Sequence, residues 1–140
     1  MRACRFHLGS DHGGVELRDE LAAVLTADGH TIMSTAGPRS ADESADYPDI
    51  AVTVCRRLLE DPGSFGLLVC GTGQGMAMTA NRIPGIRAAL VGDVFSARMA
   101  RAHNDANVLC LGQRVLGSEL AKALAREFAA TSFEGGRHQR

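Results

Sequence analysis

Short apolar runs alternate with amphipathic stretches along the whole chain. Each run is four to six residues long. Continuous apolar runs of this length are typical of strands that are buried on both faces of a sheet. The pattern predicts five such strands, over residues 4–8, 31–34, 65–70, 86–91 and 108–111.

Between these runs, apolar side chains recur every three or four residues, as they do along one face of a helix. Leu17, Leu21, Val24 and Leu25 follow this spacing. Further helices are predicted over residues 50–58, 75–83, 95–102 and 116–128. Strand and helix alternate throughout, so the sequence predicts one α/β domain, residues 1–140, with a parallel sheet covered by helices on both faces.

Two segments break this alternation. The stretch 36–49 contains Gly37, Pro38, Pro48 and several acids, and a loop of this length in a compact domain is usually functional or mobile. Residues 134–140, EGGRHQR, form a polar tail, which we expect to be disordered.

Composition narrows the functional classes. Fifteen basic residues against sixteen acidic ones leave a net charge of -1, so no overall field draws the chain to nucleic acid or to an anionic membrane. No apolar run approaches the ~20 residues of a membrane span. The start of the chain, MRACRFHLGS, becomes charged too soon for a signal peptide. We therefore expect a cytoplasmic protein.

The cysteines and the arginines are informative for different reasons. Cys4, Cys55 and Cys110 lie within apolar patterns and are predicted to fill the core, and no cysteine or histidine spacing indicates a metal site. Fourteen of the fifteen basic residues are arginine. That bias fits either anion sites, because arginine binds phosphate in a bidentate manner, or a GC-rich coding sequence.

Glycines and reactive side chains follow several of the predicted strands. The segments are SDHGG at 10–14, CGTGQG at 70–75, GD at 92–93 and GQR at 112–114. In an open parallel sheet, ligands bind at the carboxyl ends of the strands. We therefore expect a ligand site at this edge of the sheet.

The segment VCGTGQGM at 69–76 runs from a strand through three glycines into a helix. Glycines let the backbone approach a ligand, and free N–H groups at the start of a helix attract an anion, so a phosphate or an oxyanion is the natural guest. Met76 occupies the place of the last glycine in the dinucleotide fingerprint, although Asp93 keeps a dinucleotide site open as an alternative. A tight turn without any ligand is the other alternative.

Three sets of side chains are candidates for chemistry. Cys70 ends the third strand and faces that helix N-terminus, where a thiolate can serve as base or nucleophile, although buried cysteines are also common in cores. Asp11-His12 is an acid–imidazole pair that suits proton transfer. His103-Asn104-Asp105 follows the fourth long helix and either caps it or contributes to chemistry.

The expected topology places residues 103–105 at the sheet edge opposite Cys70, so if they act in the chemistry, a neighbouring subunit presents them. Arg114, Arg137 and Arg140 are candidates to bind a phosphate, or are ordinary surface arginines. His7 and His30 are interpreted as structural.

Several segments resemble, in the same order, those of the type B ribose-5-phosphate isomerases, a group that also includes galactose-6-phosphate and allose-6-phosphate isomerases. The resemblance spans essentially the whole chain. The matching segments are SDHGG at 10–14, DYPD at 46–49, CGTGQGM at 70–76, AN at 80–81, GIRA at 85–88, SARMARAHNDANVLCLGQRVLG at 96–117 and EGGRHQ at 134–139.

The resemblance implies a Rossmann-like three-layer α/β/α sandwich with a five-stranded parallel sheet. It also implies a homodimer, with the option of a tetramer, whose active sites are shared between subunits. The chemistry requires no metal and no cofactor, because backbone amides can supply the electrostatic stabilisation.

By the same resemblance, Cys70 is the base that moves a proton between C1 and C2 of the sugar. His103 is the acid that opens the furanose ring, with Asp11 close by. The enediolate oxygens are held by the Thr72 side chain and by the amides of Gly71, Thr72, Gly73, Gln74 and Gly75. Further pocket residues are Asp11, His12, Tyr47 and Asn81, and, from the other subunit, Asn104, Arg114 and Arg137.

Two positions qualify the resemblance. One branch of the family has a glutamate base directly after the third glycine and lacks the cysteine, whereas this chain has Met76 there and retains Cys70, as in the cysteine branch. Arg140 follows Arg137 by three residues, where the family usually has a spacing of four. Arg140 is retained as a phosphate-binding candidate.

The expected reaction is the reversible interconversion of D-ribose 5-phosphate and D-ribulose 5-phosphate through a cis-enediolate. One alternative is an isomerase of a six-carbon sugar phosphate, either allose 6-phosphate or galactose 6-phosphate. The other is a non-catalytic module that binds a sugar phosphate or a nucleotide with the glycine loop alone. The presence of Cys70, Thr72, Asp11 and His103 together argues against that module, since binding alone needs no positioned base.

Overall fold

The structure is a computed structural model that describes residues 2–140. The strands are β1 (Arg5–Ser10), β2 (Thr31–Ala36), β3 (Phe65–Cys70), β4 (Ala88–Leu90) and β5 (Val108–Gly112). The helices are α1 (Val15–Ala27), α2 (Tyr47–Leu59), α3 (Gln74–Ala80), α4 (Val94–Ala102) and α5 (Ser118–Ala130), and two 3₁₀ turns span His12–Gly14 and Gly136–Gln139. None of the helices within the described residues combines the length and apolar character needed to cross a membrane.

All five strands are parallel and lie in the order β2-β1-β3-β5-β4, so the predicted α/β architecture is confirmed. After β2 the chain returns to the other side of β1. As a result, β1 and β3 are neighbours whose following connections leave in opposite directions. Ligands of open α/β sheets bind at the carboxyl ends of two such strands, the switch point of the sheet.

The sheet separates two layers of helices. On one face, α1, α4 and α5 pack against side chains that include Leu67 and Leu109. On the other face, α2 and α3 pack against Leu68 and Val108. Because successive residues of a strand point to opposite faces, Leu67 and Leu68 belong to different cores. Burial on both faces explains why the strands are continuous apolar runs in the sequence.

All four cysteines are buried and free. Cys4, Cys55 and Cys110 fill the core, as predicted. Burial raises the pKa of the Cys55 thiol to about 11, and burial also raises the pKa of Cys110. Both thiols therefore stay protonated at neutral pH, which makes them suitable controls for any role of Cys70.

Most elements differ from the predicted bounds by one to three residues at an end, and two of these differences have an identifiable cause. β4 is only three residues long, because the preceding Arg87 N–H donates to the Asn107 side chain rather than to a neighbouring strand. α2 begins at Tyr47, inside the predicted loop, with Pro48 in its first turn. Proline is favoured there because the first N–H groups of a helix have no partner within the helix.

The expectation of a disordered tail is wrong. The Glu134 N–H donates to the Ala102 carbonyl at 2.9 Å, and the chain then forms the turn Gly136–Gln139. This attachment to the end of α4 gives the last residues a fixed position in the fold.

Two buried arginines brace opposite edges of the sheet. Arg18 donates to the Ser10 hydroxyl at 3.1 Å and to the Pro38 carbonyl at 2.8 Å, which ties the long loop to the carboxyl end of β1. Arg101 donates to the Ala106 carbonyl at 2.7 Å and so closes the end of α4. These two arginines have structural roles.

Candidate active site

The carboxyl ends of β1 and β3 carry the first group of candidate residues. Asp11 follows β1 and Cys70 ends β3, and both are buried. The turn after β1 packs directly on β3, because a Cβ at Gly14 would stand 2.5 Å from the Val69 carbonyl oxygen. Asp11 accepts the Gly13 N–H at 2.9 Å. The fold thus places a carboxylate and a thiol at the switch point, the edge that the sequence predicted.

Two backbone N–H groups of the loop after Cys70 donate to nearby side chains. The Gly73 N–H donates to Cys70 Sγ at 3.2 Å, and the Gln74 N–H donates to the Thr72 hydroxyl at 3.3 Å. Gly73 has a φ of 80°, a left-handed conformation that favours glycine. These contacts hold the loop in one conformation, in which its remaining backbone N–H groups can stabilise negative charge that develops on a bound oxygen.

Tyr47 and His12 lie beside this loop. A Cβ at Gly75 would overlap the Tyr47 ring, so the ring lies directly over the glycine. His12 Nδ1 lies 3.2 Å from the Ala45 carbonyl oxygen and 3.3 Å from the Ala45 nitrogen, so the Ala45 backbone holds the imidazole against the segment that precedes α2. The long loop and the start of α2 therefore form one wall of the site.

Arg114 lies at the same edge. Its N–H donates to the Gly71 carbonyl at 2.9 Å, and its Cδ would be 3.6 Å from a Cβ at Gly71. The resemblance grouped Arg114 with Asn104 and Arg137 of a partner subunit, whereas the structure places it with Cys70 of its own chain. We call the set formed by Asp11, His12, Tyr47, residues 70–75 and Arg114 the Cys70 end.

A second group of candidates lies at the opposite edge of the sheet. His103 and Asn104 follow α4, just before β5 begins, and Arg137 lies in the tail. The His103 ring stacks on the His138 ring with 4.0 Å between ring centres. We call the set formed by His103, Asn104, Glu134, Arg137, His138 and Arg140 the His103 end. Its location opposite Cys70 agrees with the prediction from topology.

Asn81 and Asp93 are engaged in structural contacts. The Asn81 side chain donates to the Ala88 carbonyl at 2.9 Å and accepts the Ala88 N–H at 2.7 Å, so it pairs with β4 as a neighbouring strand would. Asp93 accepts the Ser96 N–H and the Ser96 hydroxyl, both at 2.8 Å, and these hydrogen bonds hold the pKa of Asp93 below its usual range. Asp93 therefore caps the start of α4, which gives its carboxylate a structural role.

Sequence reasoning missed Glu134. Its carboxylate lies 3.6 Å from His103 Nε2 and 3.9 Å from His138 Nε2. Among residues 2–140, these three side chains bring their donor atoms close enough together to hold a metal ion. The sequence does contain a signal for this cluster, because Glu134 and His138 are four residues apart in the tail. The signal was not used, since the tail was expected to be disordered.

The fold and its two ends define a class: a Rossmann-like α/β/α enzyme with a thiol and backbone donors at the switch point of a five-stranded parallel sheet. A sequence profile of the Ribose/Galactose Isomerase family matches residues 6–140. The chain belongs to this family, and the protein is an isomerase.

Individual relatives agree with this assignment. Ribose-5-phosphate isomerase B of Escherichia coli is 40% identical over 131 residues, which are 94% of this chain and 88% of that protein. D-erythrulose-4-phosphate isomerase 2 of Mycolicibacterium smegmatis is 35% identical over 133 residues, again 94% and 88%. The crystal structure of a ribose 5-phosphate isomerase from Thermotoga maritima has a TM-score of 0.93 at 42% identity, and the match covers 99% of this chain and 94% of that chain. The predicted family and three-layer fold are confirmed.

Proposed function

We propose that the protein interconverts D-ribose 5-phosphate and D-ribulose 5-phosphate through a cis-enediolate, with Cys70 as the base. The observation that carries this proposal is the position of the thiol, which lies at the switch point with the Gly73 N–H on its sulfur. Relatives named ribose-5-phosphate isomerase B support the five-carbon substrate.

The proposed reaction moves one proton between neighbouring carbons. The Cys70 thiolate removes the proton from C2 of the open-chain aldose, and the electron pair of that C–H bond forms the C1–C2 double bond. Negative charge moves to the C1 oxygen, where the N–H groups of residues 71–75 and the Thr72 hydroxyl stabilise it. The C2 hydroxyl proton passes to the C1 oxygen, and Cys70 returns the carbon-bound proton to C1. The ketose therefore has the same atoms as the aldose.

Ring opening and substrate binding are assigned to the remaining candidates. His103 protonates the ring oxygen of the furanose, since imidazole exchanges protons readily near neutral pH, and Asp11 assists from the Cys70 end. Arg114, Arg137 and Arg140 bind the phosphate as permanent cations. The sugar hydroxyl groups are contacted by His12, Tyr47 and Asn104.

A complete site of this kind needs a second copy of the chain, because its two ends lie at opposite edges of one sheet. We infer a homodimer, with the option of a tetramer, in which the His103 end of one subunit meets the Cys70 end of the other. Exposed apolar surface supports this inference: Leu90 and Val115 line a groove beside Thr72 and Gln74, and Val115 is 67% exposed. A second copy would remove this surface from water.

We also propose a cytoplasmic location, because all four cysteines are free and a reducing compartment keeps thiols in that state. The net charge of -1 supports a small phosphorylated sugar as the partner, rather than nucleic acid or an anionic membrane.

Coupled assays with the full chain test the reaction class and the substrate together. We expect the highest kcat/KM with ribose 5-phosphate when it is compared with D-erythrulose 4-phosphate, allose 6-phosphate and galactose 6-phosphate. A preference for another of these sugars would replace the five-carbon assignment. Binding of a sugar phosphate without turnover of any would identify the non-catalytic module.

The role of the thiol is tested with Cys70→Ala. We expect kcat to fall by at least about 100-fold with KM nearly unchanged, because a general base contributes about 10²- to 10⁴-fold to such a step. The matched control is Cys55→Ala, which removes another thiol from the same face of the sheet and should retain kcat. Near-normal turnover of Cys70→Ala would show that a different group is the base.

A further inference from the structure

Three side chains with metal-binding atoms meet at the His103 end. Glu134 Oε1 is 3.6 Å from His103 Nε2 and 3.9 Å from His138 Nε2, and the donor atoms of all three lie within 4.8 Å of one another. Both separations are too long for a hydrogen bond. The carboxylate therefore faces two imidazole nitrogens without being hydrogen-bonded to either.

This spacing is close to that of a tetrahedral zinc site. Zinc holds nitrogen and oxygen ligands at about 2.0–2.2 Å, so two ligand atoms on one ion stand about 3.3–3.5 Å apart. The Glu134 oxygen has to approach the two imidazole nitrogens by a few tenths of an ångström. The two nitrogens themselves, which lie within 4.8 Å of each other, have to approach by up to about 1.5 Å. The histidine rings are nearly parallel, with 12° between their planes, so one ring has to tilt to direct its lone pair at the same ion. All three side chains are partly exposed, which leaves room for that movement.

The backbone of the tail holds Glu134 and His138 in this arrangement. Gly135 and Gly136 have φ values of 71° and 58°, in the left-handed region that favours glycine. The His138 N–H donates to the Gly135 carbonyl at 3.1 Å, so the chain folds back and the two side chains approach each other. The Glu134 backbone is also hydrogen-bonded to the end of α4. The tail therefore places Glu134 and His138 next to His103.

The donor set indicates which ions fit. Two imidazoles and one carboxylate, with a fourth position open, form a common zinc environment. Magnesium and calcium prefer sites made only of oxygen ligands, whereas imidazole nitrogen suits the later transition metals. We propose that His103, Glu134 and His138 bind Zn²⁺ or a similar divalent transition-metal ion, and that this ion reversibly inhibits the enzyme.

The inhibitory effect rests on the proposed function, whereas the binding site does not. An imidazole nitrogen that gives its lone pair to a metal ion cannot carry the proton that ring opening requires. A bound ion therefore withdraws His103 from the reaction without any covalent change. Removal of the ion by a chelator returns the imidazole to its free state.

Binding is tested by titrating the full-length protein with Co²⁺, whose visible absorption reports tetrahedral coordination directly. We expect about one Co²⁺ per chain, and at least about tenfold weaker binding in Glu134→Gln and in His138→Gln. The control is His7→Gln, which removes a histidine that contacts Ser34 and Asp61 outside both ends and should leave the Co²⁺ spectrum unchanged. Circular dichroism of each variant verifies that the fold is retained.

Inhibition is tested by titrating the isomerase assay with Zn²⁺ and reversing it with EDTA. We expect wild-type activity to fall in step with binding and to recover with the chelator. His138→Gln, measured against its own metal-free activity, should require at least about tenfold more Zn²⁺ for the same loss, in step with its weaker Co²⁺ binding.

Several results would overturn the metal site. These are a wild-type protein without a tetrahedral Co²⁺ spectrum, a spectrum unaffected by both tail variants, and a sulfur charge-transfer band that identifies cysteine ligands. Changes in the pH profile of kcat in the tail variants, without Co²⁺ binding to the wild type, would show instead that Glu134 and His138 position His103. If the protein turns over no sugar phosphate, the proposed function fails, and the Co²⁺ titration still decides the metal site.

Discussion

The two ends of the sheet differ in the groups that form the site. At the Cys70 end, strand termini and backbone N–H groups make the site, and Cys70 and Asp11 are only 5% and 9% exposed. At the His103 end, side chains from a helix terminus and from the tail make the site, and the side chains of His103 and Glu134 are 37% and 58% exposed. One end is fixed by the sheet itself, whereas the other depends on a short attached segment.

This difference matters for what each end can do. Backbone donors held by a buried strand cannot reorient, so they provide a constant field for charge that develops during a reaction. Partly exposed side chains can change their rotamers and partners, which suits proton exchange with the solvent and the capture of an ion. The comparison therefore predicts rigid stabilisation at the Cys70 end and adjustable chemistry at the His103 end.

The largest expected effect is on enzyme activity, when subunits that each lack one end of the site are combined in one dimer. Cys70→Ala and His103→Asn should each be nearly inactive alone, because each lacks one half of every site. A refolded equal mixture should recover about one quarter of wild-type activity, since half of the dimers are mixed and each has one intact site under two-fold symmetry. Steady-state rates before and after refolding measure the recovery.

The control for this experiment pairs Cys70→Ala with the double variant Cys70→Ala/His103→Asn, whose mixed dimers contain no intact site. No recovery is expected there. If the first mixture also stays inactive although mixed dimers form, the two ends do not act in one shared site.

Most of the Cys70 end could be predicted from the sequence, because its structure depends on residues that are neighbours in the chain. A strand buried on both faces is a continuous apolar run, and residues 65–70 were predicted with the bounds that the structure has. The glycines after it indicated a close backbone approach, and parallel topology placed Asp11 and Cys70 at the same edge of the sheet, although the pairing of β1 with β3 was not predicted. Each step depended on neighbours in the sequence or on a general rule of parallel sheets.

The His103 end was less accessible, because its contacts join residues that are distant in the sequence. The tail is ordered by a hydrogen bond from Glu134 to Ala102, and neither residue signals the other. The short length of β4 likewise depends on a contact with the distant Asn107. The burial of Arg101 also could not be predicted from its neighbours in the sequence. Composition indicated many arginines but not which of them brace the fold.

A pair of glycine substitutions tests whether the Cys70 end is the rigid one. A Cβ at Gly112 would stand 2.7 Å from the Thr72 carbonyl, and because the three nearest atoms all belong to the Thr72 backbone, no side-chain rotation can relieve the overlap. Gly112→Ala should therefore lower the free energy of unfolding by about 1–3 kcal/mol, the usual effect of overpacking, and should reduce kcat as well. Denaturant titration and the isomerase assay measure the two effects.

Gly136→Ala is the matched substitution at the His103 end. A Cβ there meets no atom within 4 Å, although its φ of 58° disfavours alanine. Because that strain is confined to the tail, we expect the free energy of global unfolding to change by less than about 0.5 kcal/mol. A larger loss for Gly136→Ala than for Gly112→Ala would reverse the assignment of rigid and adjustable ends.

The smallest expected effect is on the pH dependence of stability, and it distinguishes the two histidine–carboxylate pairs of the molecule. His7 is buried and bonds through both ring nitrogens, with Asp61 Oδ2 2.9 Å from its Nε2, whereas Glu134 lies 3.6 Å from His103. Hydrogen bonds from Arg5 and His7 hold the pKa of Asp61 below its usual value of 3.8. The first pair is therefore a structural contact, and its contribution to stability should depend on pH.

The sign of that dependence follows from the lowered pKa. The charged form of Asp61 is favoured by folding, so its contribution to stability is fully present above about pH 4 and is lost as the pH falls through the folded pKa. Asp61→Asn should consequently be less stable than wild type between pH 5 and pH 7, with a difference that shrinks below pH 4. Urea titrations at pH 7, 5 and 3 measure this difference. A deficit of Asp61→Asn that stays constant down to pH 3 would show that the carboxylate charge contributes nothing, and the contrast between the two pairs would then reduce to burial alone.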